Sequence, residues 1–254
     1  LREIEKSFSV NPESTPSMIL KMFGWTDEDL DNTDSKKDLE NNRVYKLVDT
    51  CSAAFVSQTP YLYSTNGTTN DDTASKQKKV VVIGSGPNRI GQGIEFDYCC
   101  VHGVSSLKEN GFEAIMINSN PETVSTDYDT ADKLYFEPLS WTDVRAVLVR
   151  EKPDSVIIQL GGQTPLKLAK EISAAGFKIA GSSLEVIDST EDRYLFQKLC
   201  VSQDIKQPLS KIANNENELI NSVNDIGFPV LLRPSYVLGG RAMRVVKTEE
   251  ELEN

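Results

Sequence analysis

Two arginines and two glycine-rich turns carry most of the chemistry open to this sequence. Arg233 closes an apolar run at 228–233 and opens the stretch Arg233-Pro234-Ser235-Tyr236-Val237-Leu238-Gly239-Gly240-Arg241-Ala242-Met243. A guanidinium grips phosphate oxygens in bidentate fashion, and a turn such as Gly239-Gly240 can fold over the nucleotide that carries them. Arg193 is a second candidate clamp. Taken alone, Arg233 serves equally well as a surface ion-pair partner.

The other glycine turn is Gly84-Ser85-Gly86-Pro87-Asn88-Arg89-Ile90-Gly91-Gln92-Gly93. Between a strand and a helix, such a turn lets backbone approach a ligand and aims amide N–H groups at an anion. Two phosphate fingerprints nearly fit it and both fail. The dinucleotide pattern needs glycine where Arg89 stands, and the P-loop pattern needs lysine where Gln92 stands. A structural tight turn is the competing reading. Glu95 and Asp97 follow, two residues apart, so they do not share a helix face. They suit a helix N-terminus, where the dipole favours anions. The apolar neighbours Ile94 and Phe96 predict that Glu95 is partly buried. Glu122 lies in Asn118-Ser119-Asn120-Pro121-Glu122-Thr123-Val124-Ser125-Thr126-Asp127-Tyr128-Asp129. That segment follows a strand, at the sheet edge where open α/β folds bind ligands. A hydrogen-bonded surface loop is the plainer reading.

These residues need a scaffold, and the pattern predicts an α/β one. Short apolar strands are expected at 80–83, 113–118, 133–136, 155–160 and 178–180, the first β-branched and buried on both faces. Helices are expected at 95–110, 141–152 and 164–175. This alternation predicts a doubly wound parallel sheet over 78–188. From 189 to 254 the pattern changes to helices at 191–201 and 216–226 and strands at 228–233 and 242–246. Residues 1–77 are polar, acidic and turn-rich, and 66–77 reads as an exposed linker.

Composition narrows the classes. Of 254 residues 39% are apolar, enough for a sizeable core, and the formal charge is −11. A surface this acidic repels nucleic acid and anionic lipid, so neither is expected as a partner. No apolar run is long enough to cross a bilayer as a helix. Cys51, Cys99, Cys100 and Cys200 form no CxxC pair, and buried free thiols in a reduced compartment are expected. The single histidine, His102, disfavours histidine-ligated zinc and a Ser-His-Asp site. The chain begins at Leu1 and stops in a charged run, so both ends read as cuts in a longer protein.

Several long strings resemble one family: GSGPNRIGQGIEFDYCCVH, NPETVSTDYDT, KLYFEP, GGQTPLKLA, the EDR at 191–193 and RPSYVLGGRAM. They look like the second half of the synthetase (large) subunit of carbamoyl-phosphate synthetases. Asn88-Arg89 and Cys99-Cys100 resemble that half rather than the first. The string VYKLVDTCSAAFVSQTPYLYST at 44–65 resembles the end of the oligomerisation domain between the halves. Residues 1–43 match the family poorly.

The resemblance implies three regions. Residues 1–77 would be the helical tail of the oligomerisation domain plus a linker, 78–188 a pre-ATP-grasp domain, and 189–254 the start of an ATP-grasp domain. It implies an ATP- and Mg²⁺-dependent ligase that phosphorylates carbamate in this half, in the cytoplasm, for pyrimidine or arginine synthesis. The metal ligands would lie beyond residue 254, leaving this piece inactive alone. By position Arg193 and Arg233 match ATP-contacting arginines, Arg233 being the catalytic candidate, and Gly239-Gly240 matches a phosphate-covering loop. Gly91, Gly93, Glu95 and Glu122 would line an internal passage for labile carbamate. Implied partners are a glutamine amidotransferase, separate or fused, the first synthetase half, and further copies in an oligomer. Competing readings are another ATP-grasp ligase or carboxylase, or a nucleotide-binding module that has lost its chemistry.

Overall fold

The computed structural model describes residues 43–52, 54–56, 59–89, 92–233 and 242–253. They fall into two compact units, one of 43–87 with 95–181 and one of 88–94 with 182–253.

The first unit is built on a six-stranded sheet. Its strands are β1 (Arg43–Leu47), β2 (Tyr61–Asn66), β3 (Lys79–Ile83), β4 (Glu113–Asn118), β5 (Lys133–Phe136) and β6 (Ser155–Ile157), in the order β1-β2-β5-β4-β3-β6. Only β1 runs antiparallel, to β2. Strands β3 and β4 are buried along their whole length, the environment that favours their Val and Ile residues. Register is fixed by Val81, opposite Ile115 on one side and Val156 on the other. The order reverses beside β3, so the sheet is doubly wound with its switch point between β3 and β6.

Helix α1 (Glu95–Glu109) carries Glu95 and Asp97 in its first turn and Lys108 in its last, matching the helix dipole. It buries Cys100 and Val104 against Val82, Met116 and Leu134. Helix α2 (Trp141–Glu151) is capped by Ser140, whose hydroxyl accepts from Asp143 N–H at 3.3 Å. The helix expected at 164–175 forms as two short pieces, α3 (Gln163–Leu166) and α4 (Ala169–Ala174). The strand expected at 178–180 is reduced to one bridge, Val156 to Ile179.

The first region departs most from expectation. The part of it described at 43–66 is not a helical tail: it supplies β1 and β2 to the sheet. Its alternation of apolar and polar residues, Val44-Tyr45 and Tyr61-Leu62 excepted, is the strand period, and one face finds a buried partner in β5. The linker at 66–77 is also tied down. Asn70 Oδ1 accepts from Tyr45 N–H at 2.8 Å, and Asp72 pairs with Lys133 at 2.8 Å.

The second unit opens with α5 (Leu184–Glu191) and α6 (Arg193–Ser202). These stand where one helix at 191–201 was expected. They break at Asp192, whose carboxylate caps α6 by accepting from Leu195 N–H at 2.9 Å. Helix α7 (Glu216–Ile226) follows, capped by Asn215. Strands β7 (Val230–Leu232) and β8 (Arg244–Val246) pair antiparallel, and α8 (Glu249–Glu253) ends the unit. Val223, Val230 and Val246 form its small core.

Candidate functional site

The carboxyl edge of the large sheet gathers the loops after β3, β4 and β6. Its centre is Asn118, the last residue of β4, with 1% of its surface exposed. Its Oδ1 accepts from the backbone N–H groups of Gly86 (3.0 Å), Ser119 (2.9 Å) and Asn120 (3.3 Å). Its Nδ2 donates to Ser125 Oγ at 3.3 Å. One amide side chain thereby satisfies three buried or half-buried amides and joins two loops. Gly84 must lack a Cβ here, since one would sit 2.6 Å from Asn118 Cγ. Gly161 is equally constrained: its Cβ would sit 2.6 Å from the Ile83 carbonyl oxygen and 2.7 Å from the Gly84 carbonyl. At the switch point, then, two loops pack backbone on backbone. This adds a geometric reason to the sequence objection against a dinucleotide site there.

Ser125 links this hub to α1. Its N–H lies 3.2 Å from each carboxylate oxygen of Asp97, in the first turn of the helix. Ser125 is itself 1% exposed. Glu122 N–H donates to Asn120 Oδ1 at 3.1 Å, so Asn120 in turn fixes the loop that bears Glu122.

The two expected carboxylates of this edge, Glu95 and Glu122, are both exposed. For Glu95 this corrects the expectation of partial burial. Helix face, not sequence neighbours, decides burial. Phe96, Cys100 and Val104 lie on the inward stripe, whereas Glu95 and Cys99 lie off it. Cys99 is accordingly an exposed thiol, against the expectation of burial, while Cys100 and Cys200 are buried. Burial pushes the Cys100 thiol up to about 12, which makes it inert as a nucleophile. Gly93 is exposed and belongs to the second unit. Gly91 lies outside the described residues.

In the second unit Arg193 is the first residue of α6 and is exposed. A cation at a helix N-terminus opposes the dipole, so helix stability does not explain it. Arg233 directly follows β7 and is also exposed. Gly239 and Gly240 lie outside the described residues. Among the described residues neither guanidinium has a salt-bridge partner, which leaves both able to meet a phosphate.

Sequence reasoning missed the opposite edge of the sheet. Lys79, Glu113 and Lys133 each open a strand and meet Glu151 near the end of α2. Glu151, fully buried, accepts from Lys79 Nζ at 2.8 Å, Lys133 Nζ at 3.3 Å and the Tyr135 hydroxyl. Burial alone would raise its pKa. The bonds from Lys79 and Tyr135 and the lysine charges instead hold it below the usual carboxylate range. Arg150 donates to the Asp72 carbonyl at 2.6 Å and to the Tyr135 hydroxyl at 3.2 Å. A charged residue opening each of three adjacent strands was the available signal. A second buried acid, Glu137, follows β5 and accepts from Ser64 N–H (2.5 Å) and Ser64 Oγ (2.9 Å). Burial raises its pKa to about 7, against the opposing bonds from Ser64 and the charge of Arg43.

No group of three or more His, Cys, Asp or Glu suited to a metal ion occurs among the described residues. No described helix is long and apolar enough to cross a membrane.

A doubly wound sheet with sealed switch-point loops, followed by a unit bearing exposed arginines, has the order of a pre-ATP-grasp domain leading into a nucleotide-binding one. Comparison with known proteins gives the particular family. The carbamoyl phosphate synthase preATP-grasp domain matches residues 76–189, and the carbamoyl-phosphate synthase L chain ATP binding domain matches 192–254. The carbamoyl phosphate synthase large chain of Archaeoglobus fulgidus is 49% identical over the whole of this chain, which covers 24% of that protein. That of Gemmatimonas aurantiaca is 55% identical over 82% of the chain, covering 19% of the relative. Among solved structures, the biotin carboxylase domain of a single-chain bacterial carboxylase aligns over 69% of this chain and 38% of its own. It does so at 13% identity with a TM-score of 0.49, a likeness too loose to carry an argument. The chain belongs to the carbamoyl-phosphate synthase large-chain family and spans about a quarter or less of the length of these relatives.

Proposed function

We propose that this chain is the start of the second, carbamate-phosphorylating half of an ATP-dependent carbamoyl-phosphate synthetase. The observation that carries the reading is the pair of exposed cations, Arg193 and Arg233, without salt-bridge partners among the described residues. They lie in the region that matches the family's ATP-binding domain. Phosphoryl transfer needs charge neutralised on the transferring oxygens and partners held in line, with little covalent help. Arg233 is the catalytic candidate, Arg193 a second ATP contact, and Gly239-Gly240 the cover over the phosphates. Mg²⁺, when bound, would bridge phosphate oxygens through acidic ligands beyond residue 254, so the 254 residues alone would be inactive.

Exposed Glu95 and Glu122, with Gly91 and Gly93, would line the internal passage that delivers carbamate, a species labile in water. Ammonia would come from a glutamine amidotransferase, separate or fused, and the first half would supply the carboxy group from bicarbonate. The site of action would be the cytoplasm and the product would enter pyrimidine or arginine synthesis, the enzyme working as an oligomer.

The test uses the full-length protein supplied with carbamoyl phosphate and MgADP, with ATP as the readout. ATP formation that collapses in Arg233→Ala supports the assignment. No ATP from a folded protein that binds nucleotide removes it and favours another ATP-grasp chemistry. In the forward direction, Gly93→Phe should cut overall synthesis while sparing each partial ATP reaction. Loss of the partial reactions instead would make Gly93 a folding residue.

A further inference from the structure

The two exposed carboxylates of the carboxyl edge sit on separate segments, Glu95 on the first turn of α1 and Glu122 on the loop after β4. Each lies close in sequence to a residue bonded to Ser125 or to Asn118. Asp97, two residues after Glu95, accepts the Ser125 N–H with both oxygens at 3.2 Å. Asn118 Nδ2 donates to the Ser125 hydroxyl at 3.3 Å, and Asn118 Oδ1 holds Asn120 N–H, whose own side chain holds Glu122 N–H. Asn118 and Ser125 are each 1% exposed, so the node is shielded from competing water.

We propose that Asp97, Ser125 and Asn118 form a clamp that sets the spacing of Glu95 and Glu122, making Asp97 and Asn118 positioning residues for carbamate transfer. The proposal rests on the passage reading of those two glutamates. Three features single out the clamp from ordinary loop packing. It spans two segments rather than one. It converges on one buried serine that uses both its backbone and its side chain. The segments it joins each end in a carboxylate directed to solvent rather than to a partner within the clamp. A charged pair held at fixed spacing can guide an anion past without trapping it; a pair free to drift apart cannot.

The experiment uses the full-length enzyme and follows three rates: bicarbonate-dependent ATP hydrolysis, ATP formation from carbamoyl phosphate and MgADP, and coupled carbamoyl phosphate synthesis. Asp97→Ala should lower coupled synthesis about tenfold or more, the cost of a misplaced group at about 1 Å, and leave both partial rates near wild type. Asp97→Asn keeps an acceptor for Ser125 N–H and should restore coupled synthesis to within about threefold. The Asp97→Ala loss should shrink in a Glu122→Ala background, because a positioning residue acts through the group it positions. Should Asp97→Ala fail to fold, Ser125→Ala, which keeps the N–H bond to Asp97 and loses the Asn118 contact, should still lower coupled synthesis selectively. A wild-type enzyme that makes no ATP from carbamoyl phosphate would overturn the underlying reading and the clamp with it. A working enzyme in which the variants leave coupled synthesis unchanged, or lower all three rates by one factor, would overturn the clamp alone.

Discussion

The two edges of the large sheet handle charge in opposite ways. At the amino edge, charged groups are buried and every one has an opposite partner: Lys79 with Glu151 and Glu113, Lys133 with Asp72 and Glu151. At the carboxyl edge the buried node is neutral except for Asp97, and Glu95 and Glu122 stand in solvent. Charge that is compensated inside the protein holds strands and linker together but has nothing left to offer a substrate. Charge kept outside contributes little to stability and remains available for chemistry. The difference identifies the carboxyl edge as the working face and the amino edge as its foundation.

The largest expected effect breaks the foundation. Glu151→Leu strands Lys79, 3% exposed, and removes the acceptor of the Tyr135 hydroxyl. Leaving a buried charge without its partner costs about 3–5 kcal/mol, so urea denaturation should show the midpoint falling sharply. Adding Lys79→Met should recover part of that loss. Full stability in the single variant would mean that the amino edge is not a compensated network. The wild-type protein carries the same dependence on pH. Glu151 is held low, so its contribution is present above the ordinary carboxylate pKa and is lost as pH falls through its depressed folded value.

Glu137 gives the opposite sign and sharpens the comparison. Its carboxyl is raised to about 7 by burial, so the folded state binds the proton more tightly than the unfolded one. Stability from this group therefore falls as pH rises from about 4.5 to about 7 and is flat beyond. Glu137→Gln keeps an acceptor for Ser64 N–H and should remove that slope, gaining on the order of 2–3 kcal/mol at pH 8 relative to wild type. Thermal melts of both proteins between pH 5 and about 8 check it. Parallel curves would show that Glu137 finds its compensation elsewhere.

A smaller effect tests the seal at the switch point. Gly161→Ala places a methyl 2.6–2.7 Å from the backbone of 83–84, and backbone cannot swing aside as a side-chain tip can. The expected loss is about 1–3 kcal/mol, read from the shift in denaturation midpoint at unchanged slope. A neutral outcome would mean that the loops after β3 and β6 are free to separate.

Much of this architecture was legible in the sequence. Strands β4 and β5 and helix α7 fall where periodicity and caps put them, because a β-branched run or an amphipathic stretch records its own surroundings. The glycine turns announced the carboxyl edge, and the long shared strings gave the family. Long-range pairing was not legible. Nothing local says that 43–66 joins β5 across 67 intervening residues and more of chain, or that Asp72 reaches Lys133. Nor does sequence order say which side of α1 faces water, and for that reason Glu95 was expected inside. Asn118 was visible only as one of several amides in a polar loop. Its three-fold acceptance of backbone N–H groups depends on Gly86, Ser119 and Asn120 converging in space.

The smallest expected change in stability is the most informative about function. Glu122→Ala removes an exposed side chain and leaves the Glu122 N–H bond to Asn120 in place. Stability should stay within about 0.5 kcal/mol of wild type, as for most surface substitutions away from caps and networks. If the carboxyl edge is the working face, the same variant should nevertheless reduce coupled synthesis in the full-length enzyme. A stability loss as large as that of Glu151→Leu would place Glu122 in the foundation instead, and the contrast between the two edges would fail at its most exposed residue.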